Sequence, residues 1–374
     1  MNDQIRPFRI DIPQSELNSL HDRLDGARWP APLPGIGAER GMPIDDLKDL
    51  AQYWRSEFDW RAREAELNEF PQFLTEIDGQ QLHFLHVRST HQDAKPLLIT
   101  HGYPSSVAEF LHLIEPLVNP AQGQAFHVVA PSLPGYGFST PLASTGWAMG
   151  RTARAWMELM RRLGYKRYGV HGGDVGAGVS GMVASFDPDH VMGIHTVTDP
   201  LTAANVATFL PGMVDRLDPE DPVDKLILTR MNEFTTAGSG YLAIQNSRPQ
   251  TIGYGLVDSP LLQLVWIAEK FEAWTDLPID RDQLLATVSL YWFTGAGASA
   301  AHTLYDQAHS SEWGAPGPVP QGFAVFGADE TARRVVPAAP DAHWSEFERG
   351  LHFPAMEAPE VLAGDLREFF GPLK

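Results

Sequence analysis

Eleven residues, Tyr168-Gly169-Val170-His171-Gly172-Gly173-Asp174-Val175-Gly176-Ala177-Gly178, constrain this chain more than any other stretch. The apolar run Tyr168 to His171 predicts a strand, and the glycines after it predict a sharp turn into a helix. Asp174 stands in the turn with Gly172 two residues before it and Gly176 two residues after. That is the pattern of a nucleophile elbow, in which the central residue takes a strained backbone conformation and only glycine-sized neighbours let strand and helix pack closely. The usual G-x-S-x-G has serine at the centre; here it is Asp174, and no G-x-S-x-G occurs elsewhere in the chain. Two other readings compete. An Asp after a strand is a good N-cap for the following helix. In addition, Gly176-Ala177-Gly178-Val179-Ser180-Gly181 satisfies the dinucleotide fingerprint G-x-G-x-x-G, with Asp199 placed 18 residues past Gly181 as a ribose-binding acid. Against the fingerprint, its first glycine follows His171 by five residues instead of sitting at the strand end.

Composition narrows the chemistry around that turn. The 374 residues contain no cysteine, which excludes a disulfide framework, a thiolate metal site and a Cys nucleophile. With 47 Asp and Glu against 28 Lys and Arg, the formal charge is -19. That balance argues against nucleic acid and anionic membrane surfaces, both of which are bound through clustered basic residues. The N-terminal MNDQIRPFRIDIPQ has no basic segment followed by an apolar run, and no apolar run reaches the roughly 20 residues of a spanning helix, so a cytoplasmic, membrane-free protein is expected. The pair His83 and His86 falls in an alternating, strand-like stretch, which sends the two rings to opposite faces instead of onto one metal. No metal is expected.

Along the chain, residues 1–75 are Pro-rich, with helical patterns at Ser15 to Leu24, where Ser15 is a plausible N-cap, and at Ile44 to Phe58 after Pro43. Trp29, Trp54 and Trp60 in this stretch need apolar surface elsewhere, so it reads as an arm packed on a larger domain. From residue 76 to 199, strand-like runs (Gln81 to Arg88, Leu97 to Thr100, Phe126 to Ala130, Tyr168 to His171, Val191 to Val197) surround a helical pattern at Trp147 to Leu163. This alternation predicts an α/β fold with a mostly parallel sheet and helices on both faces. Residues 200–310 are dominated by helical signals, at Asp224 to Phe234, Leu261 to Ala273 and Arg281 to Phe293. The strand-like Phe323 to Phe326 and a C-terminal helix, Ala358 to Phe370, return in residues 311–374. A helical insertion into one α/β domain is the simplest reading.

Chain order supports the elbow. His101-Gly102-Tyr103-Pro104 follows a strand, where a backbone N–H can join that of the residue after the nucleophile to form an oxyanion hole. Asp329 follows a late strand with Glu330 beside it, and His352 precedes the last helix. Nucleophile, acid, histidine is the order of an α/β-hydrolase. A non-catalytic binding protein on that fold stays open.

Nearly the whole chain resembles the microsomal-type epoxide hydrolases. PFRIDIPQSELNSLHDRLDGARWP and YWRSEFDWRAREAELNEFPQF are similar to that family's N-terminal meander, HGYP to its HGxP motif, and GGDVG to its nucleophile segment. SGYLAIQNSRPQTIGYGLVDSP and EKFEAW resemble its cap, and GLHFPAMEAPE its histidine segment. There is also similarity to the bacterial branch that opens aryl epoxides in enediyne antibiotic biosynthesis. The resemblance implies the α/β-hydrolase fold with a helical cap, and a cis Tyr103-Pro104 bond. It also implies an apolar or aryl epoxide as the small-molecule partner, a vicinal diol as product and no cofactor. Residue by residue, it makes Asp174 the nucleophile, His352 the base and Asp329 its orienting acid, with Glu330 as fallback. Tyr103 and Val175 would supply the backbone oxyanion hole, supported by His101, Gly102, Pro104, Gly172 and Gly176. Tyr241 and Tyr305 would be the cap tyrosines, although the spacing from Tyr291-Trp292 to Tyr305 is one residue longer than the family pattern. All these tyrosines, with Tyr254, could instead be core residues.

Two departures are visible. Val175 replaces the Trp that many relatives carry after the nucleophile. This also counts against the nearest chemical rival, a haloalkane dehalogenase, which holds its halide through that Trp N–H; a haloacid dehalogenase using the same Asp nucleophile is a further alternative. The second is the lack of the mammalian members' membrane anchor, which implies a soluble bacterial form. A homodimer is as compatible with the sequence as a monomer.

Overall fold

The computed structural model describes residues 4–277, 279–312 and 317–374. Nine strands form one sheet in the order β1-β2-β3-β5-β4-β6-β7-β8-β9. They are β1 (Arg6–Phe8), β2 (Gln72–Ile77), β3 (Gln80–Val87), β4 (Lys95–Thr100), β5 (Phe126–Pro131), β6 (Tyr168–Gly172), β7 (Val191–Thr198), β8 (Gln321–Phe326) and β9 (His343–Phe347). From β5 to β9 every pairing is parallel, while β1, β2 and β3 add an antiparallel edge.

The central strands are apolar on both sides because helices cover both. Leu98, Val129 and Val170 face one core with Trp156 and Val183 of helices Met149–Arg162 and Asp174–Phe186. Leu97, Ile99 and Val128 face the other, packed against Leu113, Leu117 and Leu366 of helices Leu111–Val118 and Pro359–Phe370. Burying one such side chain stabilises by about 1.5–3 kcal/mol, so a strand that is apolar on both faces can pair only inside the sheet.

Between β7 and β8 the described residues are dominated by helices, including Pro200–Ala207, Pro222–Glu233, Gly240–Gln245, Pro260–Trp274, Arg281–Thr294 and Ala296–Ala308. The N-terminal segment ties these helices to the sheet. Its strand β1 pairs with β2, and the indole N–H of Trp54, in helix Ile44–Ser56, donates to Ser289 Oγ at 2.9 Å. Trp54 and Trp60 are buried and Trp29 is half-buried. The first helix, Gln14–Asp25, is capped two residues earlier than expected: Pro13 takes the N-cap position and Ser15 lies inside the helix. His83 and His86 are satisfied separately, the first by Ser132 and Gln72 and the second by Tyr165. Among the described residues no helix is long and apolar enough to cross a membrane.

Candidate active site

Strand β6 runs straight into the elbow. Asp174 has φ +52°, in the left-handed region that L side chains rarely adopt, and it is the first residue of helix Asp174–Phe186. The packing forces this. A Cβ at Gly176 would stand 2.0 Å from the Thr100 carbonyl oxygen, one at Gly172 would stand 2.4 Å from the Gly176 backbone, and one at Gly102 would stand 2.5 Å from Asp174 Cβ. The Asp174 carboxylate does not cap its helix; Oδ1 accepts the Tyr103 N–H at 2.7 Å. Nor do the glycines of the dinucleotide-like run cradle a phosphate. They lie within the helix, with Gly176 against Thr100 and Gly178 against Met149.

The HGYP turn is held from behind. The Leu133 N–H donates to His101 Nε2 at 3.1 Å, and the Tyr291 hydroxyl donates to the Ser105 carbonyl at 3.0 Å. The Tyr103-Pro104 bond is cis. The Tyr103 hydroxyl accepts the Trp266 N–H at 2.6 Å. Its ring stacks parallel to that of Tyr241, centroids 5.9 Å apart. Tyr291 is therefore a buried support, and Tyr254, 68% exposed, lies outside the site.

His352 enters from the loop before helix Pro354–Glu357, its backbone N–H bound to the Trp274 carbonyl and its ring against Trp274 and Phe353. Nε2 stands 3.8 Å from Asp174 Oδ2. On the other side, Nδ1 stands 2.9 Å from Thr202 Oγ1 and 3.5 Å from Asp199 Oδ2. Burial alone would lower the imidazole pKa, but the Asp199 hydrogen bond and the charges of Asp174, Asp199 and Glu109 raise it above its ordinary value. Asp199 is itself almost fully buried, which would raise its pKa, yet His352 and Thr202 hold it below the usual carboxylate range.

Three expected residues are placed elsewhere. Asp329 follows β8, but its Oδ2 accepts from Arg230 at 2.8 Å and its Oδ1 from the Thr331 N–H at 2.8 Å, so its carboxylate is spent on that loop and not on His352. Glu330, the fallback, is exposed. The carboxylate facing the imidazole comes instead from Asp199, one strand nearer the elbow, a position that a search for an acid after a late strand passes over. Tyr305, in helix Ala296–Ala308, stacks on His309 with centroids 4.0 Å apart. The preceding residue, Leu304, lines the cavity in its place. One extra residue turns a helix by about 100°, which is enough to exchange the two.

Asp174, Val175, Asp199, His352, Tyr103 and Tyr241 all border one cavity of about 560 Å³. Leu201, Val206, Phe209, Phe234, Leu242 and Trp274 give it apolar walls. Tyr241 follows a π-helical turn, Phe234–Gly238, and burial followed by the charge of Asp174 raises its phenol pKa well above the ordinary value, so it stays a proton-bearing donor. Lys270 Nζ lies 4.8 Å from the Tyr241 ring centroid. The arrangement offers a carboxylate nucleophile, an imidazole beside it and a phenolic acid on one largely apolar cavity.

Known proteins are similar to this chain in sequence and fold. Residues 5–110 match the family model described as the epoxide hydrolase N terminus, and residues 95–258 that of the alpha/beta hydrolase fold. A Stigmatella aurantiaca protein named "Putative epoxide hydrolase" is 41% identical, covering 99% of this chain and 86% of that one. Epoxide hydrolase 1 of Sus scrofa is 34% identical, covering 100% of this chain and 90% of its own. The crystal structure of juvenile hormone epoxide hydrolase from Bombyx mori superposes with a TM-score of 0.84 at 31% identity, covering 98% of this chain and 94% of that chain. The chain belongs to the epoxide hydrolase family, on an α/β-hydrolase fold.

Proposed function

We propose that this enzyme hydrolyses apolar or aryl epoxides to vicinal diols through a covalent ester on Asp174. The observation that carries the reading is the position of the Asp174 carboxylate, bound by the Tyr103 N–H at 2.7 Å and set 3.8 Å from His352 Nε2, on a cavity that Tyr241 also lines. One Asp174 oxygen attacks an oxirane carbon, and the breaking C–O bond leaves an alkoxide that takes the Tyr241 phenolic proton. His352 then removes a proton from water as it attacks the ester carbonyl, while the N–H groups of Tyr103 and Val175 stabilise the oxyanion. On collapse the departing diol oxygen takes the proton from His352, and the carboxylic acid left at Asp174 gives its proton to the Tyr241 phenolate, which restores the carboxylate, the neutral imidazole and the phenol. A carboxylate is needed because an ester can be hydrolysed, whereas the ether a serine would leave cannot.

A dehalogenase reading is not favoured, since the Val175 side chain carries no N–H to hold a halide. The test is a panel of styrene-oxide-like and aliphatic epoxides with chiral analysis of the product, alongside intact-mass measurement of His352→Gln. Diol from the wild type and a substrate-sized mass increase on the variant support the proposal. No diol from any epoxide, or undiminished turnover by His352→Gln, would overturn it.

A further inference from the structure

Two loops leave the sheet with a buried or half-buried Asp, and they differ by one strand. Strand β6 delivers the nucleophile, β7 pairs with β6 through Gly172↔Thr196, and β8 lies beyond through Thr198↔Val325. Each step across a sheet is about 4.8 Å, so a carboxylate after β7 starts one spacing closer to the elbow than one after β8. We infer that Asp199, acting together with Thr202, is the residue pair that orients His352, and that Asp329 serves the loop after β8 instead. The inference rests on the reading of His352 as the base in ester hydrolysis.

The contacts divide cleanly between the two oxygens of Asp199. Oδ1 accepts the N–H groups of Leu201 and Thr202 at 2.8 and 2.9 Å, capping helix Pro200–Ala207. Oδ2 accepts the Thr202 hydroxyl at 2.5 Å and faces His352 Nδ1 at 3.5 Å, with Thr202 Oγ1 2.9 Å from the same nitrogen. A proton on Nδ1 therefore points at an acceptor pair, which leaves Nε2 free of a proton on the side of Asp174. Helix and carboxylate fix each other, so the imidazole is held by a rigid element and not by a loose loop. Asp329 has no comparable freedom, because Arg230 also donates to Thr331 Oγ1 at 2.7 Å and closes a separate cluster. Among the described residues, Asp174 and Asp199 are the carboxylates within ion-pair distance of the His352 ring.

The experiment compares Asp199→Asn, Thr202→Val and Asp329→Asn with the wild-type full chain, measuring ester formation and ester hydrolysis in single turnovers of styrene oxide across pH. Asn still caps the helix, so a purely structural role would leave the rates and the pH profile unmoved. We expect Asp199→Asn to hydrolyse the ester at least about tenfold more slowly, with the acid limb of hydrolysis shifted to lower pH, because a group that raises the imidazole pKa is gone. Thr202→Val should be slowed in the same step. Asp329→Asn should hydrolyse the ester within about twofold of wild type while melting at lower temperature. Wild-type hydrolysis with an unmoved acid limb in Asp199→Asn or Thr202→Val, or ester accumulation in Asp329→Asn, would overturn the inference alone. Absence of any Asp174 ester in the wild type and every variant would overturn the covalent reading, and this inference with it.

Discussion

His352 Nε2 stands 3.8 Å from Asp174 Oδ2, beyond direct hydrogen-bond range. The opposite oxygen of Asp174 is already bound by the Tyr103 N–H at 2.7 Å. In the proposed mechanism, that separation has the imidazole act on the ester through one water instead of binding the nucleophile directly. Attack and hydrolysis can then use two different faces of the same side chain.

Tyr241 is the cap phenol that borders the cavity, and Tyr305 is not. Tyr241→Phe should slow ester formation by about 100-fold with little change in ester hydrolysis, whereas Tyr305→Phe should stay within about twofold of wild type. Rapid-quench measurement of the two half-reactions separates these outcomes. Equal losses in both variants would contradict the placement of Leu304 on the cavity wall.

The charges around His352 set its pH behaviour. Since Asp199, Asp174 and Glu109 raise the imidazole pKa, the neutral base should be lost as pH falls through a value above the ordinary imidazole value of about 6.5. Burial pushes the Glu109 carboxyl up to about 7, so the acid limb of kcat/KM should belong to the cluster and not to one group. The proposed ester carries no charge on Asp174. The acid limb of ester hydrolysis should therefore lie at lower pH than that of the free enzyme; a limb at equal or higher pH would contradict this electrostatic picture.

Two glycines of one helix should respond in opposite ways. At Gly176 a Cβ would meet the Thr100 carbonyl oxygen at 2.0 Å, whereas at Gly181 nothing lies within 4 Å. Gly176→Ala should cost more than about 3 kcal/mol or prevent folding, and Gly181→Ala should be neutral or stabilising by up to about 1 kcal/mol. Thermal denaturation of both variants checks this, and a well-folded Gly176→Ala protein would refute the packing assigned to the elbow.

Much of this architecture was legible in sequence because it is local. The strand before Asp174, the glycines two residues to either side, and the HGYP turn specify the elbow within a few positions, and β3 to β8 fall close to the alternating and apolar runs that predict them. Strands β1 and β9 are short segments at the two sheet edges, and β2 beside β1 has a mixed pattern, so all three carry little periodic signal. The partner of His352 was not legible, since chain order says only that an acid follows a strand. Choosing between Asp199 and Asp329 requires knowing that β7 is the immediate neighbour of β6 and that Arg230 reaches Asp329 from another helix. Tyr305 illustrates the same limit at finer scale. A motif match tolerates one inserted residue, but helical phase does not.

The most direct measurement is a single turnover with excess enzyme in heavy-oxygen water, followed by mass analysis of the diol. The first-turnover diol should contain no solvent oxygen, its added oxygen coming from Asp174, and label should enter the Asp174 carboxylate instead. Solvent label in the diol of the first turnover would show direct attack by water and would contradict the covalent role assigned to Asp174.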